Sequence, residues 1–100
     1  MTDTESILQA TLDVVRRDGW KPNGWGLVGP YALRAAINYV VNKSTPIGRE
    51  RDEANKAARK AISDAIGQPL GLLSYWEAKP GRTQQEVEEI LEKAIAGVTG

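Results

Sequence analysis

Thirteen basic and thirteen acidic side chains cancel over 100 residues, and the chain contains neither cysteine nor histidine. Disulfides, thiolate ligands, thiol nucleophiles and histidine-based catalytic triads are thereby excluded within one chain. Neutrality also removes any whole-molecule field toward nucleic acid or an anionic membrane.

The hydrophobic share of 41% and charged share of 26% are those of an ordinary globular domain. A chain this short buries roughly 60–70% of its extended surface on folding, enough for one core, so residues 1–100 are read as a single domain. No apolar run approaches the roughly 20 residues that a membrane span needs. The opening MTDTESILQATLDVV is polar and acidic, unlike a signal peptide, and the expected location is the cytoplasm.

In chain order, the spacing predicts a first helix over 4–18. Ile7, Leu8, Leu12 and Val15 recur on one face, and Thr2 with Glu5 is a candidate capping box. Arg16 and Arg17 suit the negative end of the helix dipole, and Gly19 follows as a stop. Residues 19–29, GWKPNGWGLVG, are turn chemistry interrupted by Trp20 and Trp25. A loop carrying two tryptophans is expected to be ordered and folded over the core, because each ring buries on the order of 200 Å² when covered.

Pro30 suits the first position of a second helix, expected over 30–42, in which Leu33, Ala36, Ile37, Val40 and Val41 follow the helical template. A third helix, over 49–66, has an alanine-rich stripe comprising Ala54, Ala57, Ala58, Ala61, Ile62, Ala65 and Ile66. Gly67 and Pro69 stop it. The run LGLLSYW, 70–76, is read as a short extra helical segment. Thr83 and Glu86 then form a capping box ahead of Val87, Ile90, Leu91, Ala94 and Ile95, with Gly97 as the expected end. No period-two pattern marks a strand. The fold expected is therefore all-α: a compact bundle of four main helices, an ordered Gly/Trp-rich loop and one short extra segment.

Each candidate site has a plain structural alternative. Trp20, Trp25 and Trp76 suit a partner groove, since tryptophan anchors interfaces, or they are the large core pieces of an alanine-rich bundle. Arg49, Arg51, Lys56, Arg59 and Lys60 form a basic face that would suit phosphates. Yet Glu50, Asp52 and Glu53 are interleaved, and Asp52–Lys56, Arg49–Glu53 and Lys60–Asp64 sit at i, i+4, the pattern of a self-paired solvated face. Glu88, Glu89 and Glu92 on the last helix suit a basic partner or simple solubility. Gly26 and Gly29 precede a helix but lack the lysine and strand of a nucleotide fingerprint, which leaves a close loop–helix approach. Asp13, Asp18 and Glu77 have no spacing that marks them as catalytic.

The order of landmarks carries a resemblance. Gly19-Trp20 follows the first helix, Trp25-Gly26-Leu27-Val28-Gly29 leads into the second, and Trp76-Glu77 precedes Pro80-Gly81-Arg82-Thr83 and Glu86-Val87. This resembles an uncharacterised small-domain family of actinobacteria and their phages, whose members read GW early, C-x-x-G-A entering the second helix, and W-N-D…G-R-T-x-x-E-V entering the last. Gly26 stands in place of the cysteine, Pro30 in place of the alanine, and Glu77-Ala78 in place of the Asn-Asp. The resemblance implies a fold and an origin and carries no activity. Capping accounts for Thr83, whereas Arg82 is free to stack on a tryptophan or face a partner.

The function expected is non-enzymatic: a protein–protein interaction module, of phage or actinobacterial origin, that binds a host protein or a second copy of itself. Its expected contact residues are Trp20, Trp25, Tyr75, Trp76 and Arg82, with no metal and no cofactor. The alternative is a small nucleic-acid-binding regulator using 30–42 and 49–66, through Arg49, Arg51, Lys56, Arg59 and Lys60.

Overall fold

A computed structural model of the chain describes residues 4–22, 24, 29–45, 47–67 and 73–99. Its helices are α1 (Thr4–Asp18), α2 (Leu33–Ser44), α3 (Arg49–Ile66), α4 (Leu73–Glu77) and α5 (Gln84–Thr99). Four long helices enclose one core and α4 is a short addition, which is the all-α bundle expected. Among the described residues the single β-type pairing is an isolated parallel bridge between Trp20 and Tyr31. None of the described helices is long and apolar enough to cross a membrane.

The apolar positions spaced for helical faces make the core. Leu8, Val15, Leu33, Ile37, Val41, Ile62, Val87 and Leu91 are each fully buried. α1 packs chiefly on α5 and α2, and α3 on α5 and α2, so every long helix has at least two neighbours. The alanine stripe of α3 behaves less uniformly: Ala58 and Ile62 are buried, while Ala54, Ala61, Ala65 and Ile66 are only partly covered at the edge. Ion pairs join helices at the surface. Arg16 of α1 reaches Glu88 at 3.0 Å and Glu92 at 2.7 Å, so part of the acidic face of α5 is used to hold α1.

Three boundaries differ from the sequence reading. The second helix begins at Leu33 rather than Pro30, because the preceding backbone is engaged elsewhere. Tyr31 donates to the Gly19 carbonyl at 3.1 Å and accepts from Lys21 N–H at 3.3 Å, and Ala32 donates to Gly24 at 2.9 Å. That pairing holds 31–32 extended beside the loop from α1, and α2 then runs on to Ser44. The short segment runs on to Glu77, one residue past the expected end, while the 70–72 part of that expectation lies outside the described residues. Finally, α5 runs through Gly97 to Thr99, whose hydroxyl donates to the Ile95 carbonyl and continues the last turn. Gly97 costs helix stability but does not forbid helix.

Close approach explains the loop glycines. A Cβ on Gly24 would lie 2.4 Å from the Pro30 carbonyl oxygen, and one on Gly29 would lie 2.5 Å from the Asp18 Cβ. Gly24 therefore lies against the backbone leading into α2 and Gly29 against the end of α1, while Gly26, the other glycine read as a close approach, lies outside the described residues. Thr2, Asn23, Trp25 to Val28 and Pro69 lie outside the described residues, and with them the proposed Thr2 cap and the middle of the Gly/Trp-rich loop.

The α5 capping box is formed as read. Thr83 N–H donates to Glu86 Oε1 at 3.0 Å, and Glu86 N–H donates to Thr83 Oγ1 at 3.2 Å. Those contacts hold the Glu86 carboxyl below its usual range, with the Thr83 amide the largest cause. Replacing Thr83 by Ala leaves the Glu86 amide without its side-chain acceptor. Urea denaturation of Thr83→Ala should show a loss of about 1 kcal/mol with an unchanged m-value.

Candidate functional site

Three stretches distant in sequence converge on one carboxylate. Glu77, at the end of α4, is 4% exposed. Its Oε2 accepts from Trp20 Nε1 at 2.6 Å and from the Leu33 backbone N–H at 2.5 Å. The second contact caps α2, since Leu33 is its first residue and the preceding Ala32 offers no side-chain cap. Burial pushes the Glu77 carboxyl above the ordinary glutamate range, against the opposing pull of the Leu33 amide, the Trp20 indole and nearby Arg34. The Trp20 backbone is held as well, donating to Gln84 Oε1 at 3.1 Å, while Gln84 Nε2 donates to the last turn of α1 at Val15. Loop, α2, α4 and α5 are thus joined through Trp20, Glu77 and Gln84.

A second cluster lies beside it. The Arg82 guanidinium carbon sits 3.9 Å from the centroid of the Trp76 ring. Arg82 Nε donates to the Trp76 carbonyl at 3.0 Å, and Nη1 pairs with Glu86 at 2.7 Å. Its side chain is only 10% exposed. Of the two roles open to Arg82 in the sequence, stacking on tryptophan is the one adopted. The stack fixes α4 against the start of α5.

Among the aromatic candidates, Trp20 and Trp76 are half-buried and packed against the core. Tyr75, between Ser74 and Trp76 on α4, is 75% exposed. Trp20, Trp76, Arg82 and Tyr75 are thus brought to one region around α4, with Tyr75 as the outward member.

The basic candidates divide differently. Lys60 pairs with Asp64 at 3.1 Å, as its spacing predicts. Among the described residues, neither Asp52–Lys56 nor Arg49–Glu53 closes to an ion pair, so the self-paired face holds for one pair of three. Arg51 turns inward and donates to the carbonyls of Asn42 and Thr45, closing the end of α2. Lys56 and Arg59 line a groove of about 410 Å³ between α2 and α3 with Arg34, Asn38 and Asn55. Arg34 and the asparagines were not singled out in the sequence. On α2, Arg34, Asn38 and Asn42 recur at i, i+4, i+8, the signal that marks a polar stripe there.

With the architecture defined as an all-α bundle braced by a buried carboxylate, the family follows. A family model described as a family of unknown function, DUF6197, matches residues 1–97, and the chain belongs to that family. No curated protein and no solved structure matches the chain.

The Glu77 contacts make a prediction with a defined sign. Because burial raises its carboxyl, the folded chain holds this proton more tightly than the unfolded chain does. The corresponding stability is complete below the ordinary glutamate value of about 4.3 and is lost as pH rises through the folded value. Glu77→Gln keeps an acceptor for Trp20 and Leu33 and has no such loss. The stability of the native protein minus that of Glu77→Gln should therefore fall as pH is raised above about 4.3 in chemical denaturation. Glu77→Ala strands both donors and should cost about 2–3 kcal/mol near pH 4, a difference that shrinks as pH rises.

Proposed function

We propose that this protein is a non-enzymatic protein–protein interaction module, an accessory protein of an actinobacterium or its phage that binds and modulates a host protein in the host cytoplasm. The observation that carries the reading is Tyr75: a large aromatic side chain, 75% exposed, on a rigid mount. Its neighbours Trp76 and Glu77 are fixed by the Arg82 stack and by the Trp20 and Leu33 donors. An anchor presented this way loses little conformational entropy on binding, and tyrosine is favoured at the centre of interfaces. Ile47 is more exposed, at 87%, but lies on the turn between α2 and α3 without such bracing.

The buried carboxylate speaks for binding rather than catalysis. Glu77 carries the raised pKa that marks many catalytic acids, yet it is enclosed and both its contacts are structural donors. The resemblance in sequence to phage and actinobacterial proteins supplies the setting. Self-association through the alanine-rich α3 or the Trp-containing loop is a further form of the same reading. Light scattering at high concentration that returns only the 10.9 kDa monomer mass would remove it.

The second reading, a nucleic-acid-binding regulator using α2 and α3, draws on Lys56 and Arg59, neither of which forms an ion pair among the described residues. It is opposed by the neutral whole chain and the interleaved acids.

Affinity capture from an actinobacterial host lysate tests the main reading. The native protein should retain a stoichiometric protein partner, and Tyr75→Ala should lose it while keeping the native circular dichroism and denaturation midpoint. Recovery of no stoichiometric partner, or equal recovery by Tyr75→Ala, would overturn it.

A further inference from the structure

α2 and α3 form an antiparallel hairpin whose facing polar residues share one register. Asn55 Nδ2 donates to Asn38 Oδ1, and Arg51 donates to the carbonyl of Asn42. Continuing that pairing by one turn on each helix sets Arg34 opposite Arg59, and Lys56 lies one turn before Arg59 on the same face. All of these residues line the groove of about 410 Å³.

The three rungs are chemically unequal. At the turn end, Arg51 is taken up by backbone carbonyls. In the middle, the two asparagines share one hydrogen bond. At the open end two arginines face the same space with a lysine beside them, and none of the three forms an ion pair among the described residues. Arg34 feels Glu77 electrostatically, but both Glu77 contacts go to Trp20 and Leu33. Asp52, the acid on the groove, belongs to the turn half, one helical turn before Asn55 and Lys56. Arg59 Nε is buried and has no hydrogen-bond partner. Like charges facing one another around an unpaired, buried N–H are costly unless an anion accepts from them.

We propose that the open end of the α2–α3 groove is a binding site for a small phosphate-bearing ligand, held by Arg34, Lys56 and Arg59. Phosphate suits this donor set because arginine presents two parallel N–H groups and lysine adds a point charge. The asparagine rung lies next to it and offers amide donors and acceptors to the polar part of a phosphate ester. The groove is short: the eight residues from Arg34 to Asn42 advance about 12 Å along the helix, and cations are concentrated at one end. That geometry fits one phosphate or pyrophosphate group rather than a tracked polymer strand. The site is independent of Tyr75 and of the partner-binding reading.

Titration of the full-length protein with inorganic pyrophosphate at low salt, followed by ¹⁵N NMR, tests this site. The Arg59 Nε–H signal and the Asn38 and Asn55 side-chain amides should move saturably. Arg59→Gln and Arg34→Gln should each weaken affinity about tenfold, and Lys60→Gln, paired with Asp64 elsewhere on α3, should leave it unchanged. Arg34 is exposed, so its variant keeps the test open should Arg59→Gln fail to fold. Absence of saturable movement up to about 10 mM, or an equal effect from Lys60→Gln, would overturn the proposal. A short single-stranded oligonucleotide binding more than about tenfold tighter than pyrophosphate would overturn it in favour of the nucleic-acid reading.

Discussion

The hydrogen bonds to the Glu77 carboxylate decide how the non-bundle parts of this protein are arranged. α4 is five residues long, too short to persist without tertiary contacts. The stretch after α1 is rich in glycine. The start of α2 lacks a side-chain cap from its own sequence. One oxygen meets the needs of all three, accepting from the Trp20 indole and the first amide of α2 while ending α4. Desolvation makes that carboxylate expensive, which is why its proton affinity is raised, and two well-placed donors make it tolerable.

Arg82 extends the same logic to the last helix. Its guanidinium covers the Trp76 ring, bonds the Trp76 carbonyl and pairs with Glu86, whose other oxygen completes the capping box with Thr83. The start of α5 and the position of α4 are therefore one coupled structure. The segment from Trp76 to Val87 that carries the family resemblance is, in physical terms, a device for docking a short helix beside a long one. Tyr75, immediately before that segment, faces outward.

The long helices were legible because their causes are local. Apolar spacing on α1, α2 and α5 predicts their faces, and Gly67 in a left-handed conformation closes α3 where glycine was expected to stop it. The start of α2 was not legible. Pro30 is a sound first helical residue by itself, but the backbone at Tyr31 and Ala32 bonds to Gly19 and Gly24, and no local rule anticipates a partner across a loop. Gly97 likewise suggested an end, although the turn beyond it holds.

The candidate sites divide along the same line. That Arg82 would stack on a tryptophan was one of two roles open in the sequence, and Trp76, the partner it takes, lies only six residues away. Glu77 could not be singled out, because its donors lie 57 and 44 residues away. Nor could Arg34 be placed opposite Arg59, which depends on the register of α2 against α3. By itself the sequence determined the helical class, most helix faces, the Thr83–Glu86 capping box and the Gly67 stop, all set by interactions within a few residues. Only the tertiary structure decided which polar groups meet, because burial and cross-helix register arise when distant segments pack.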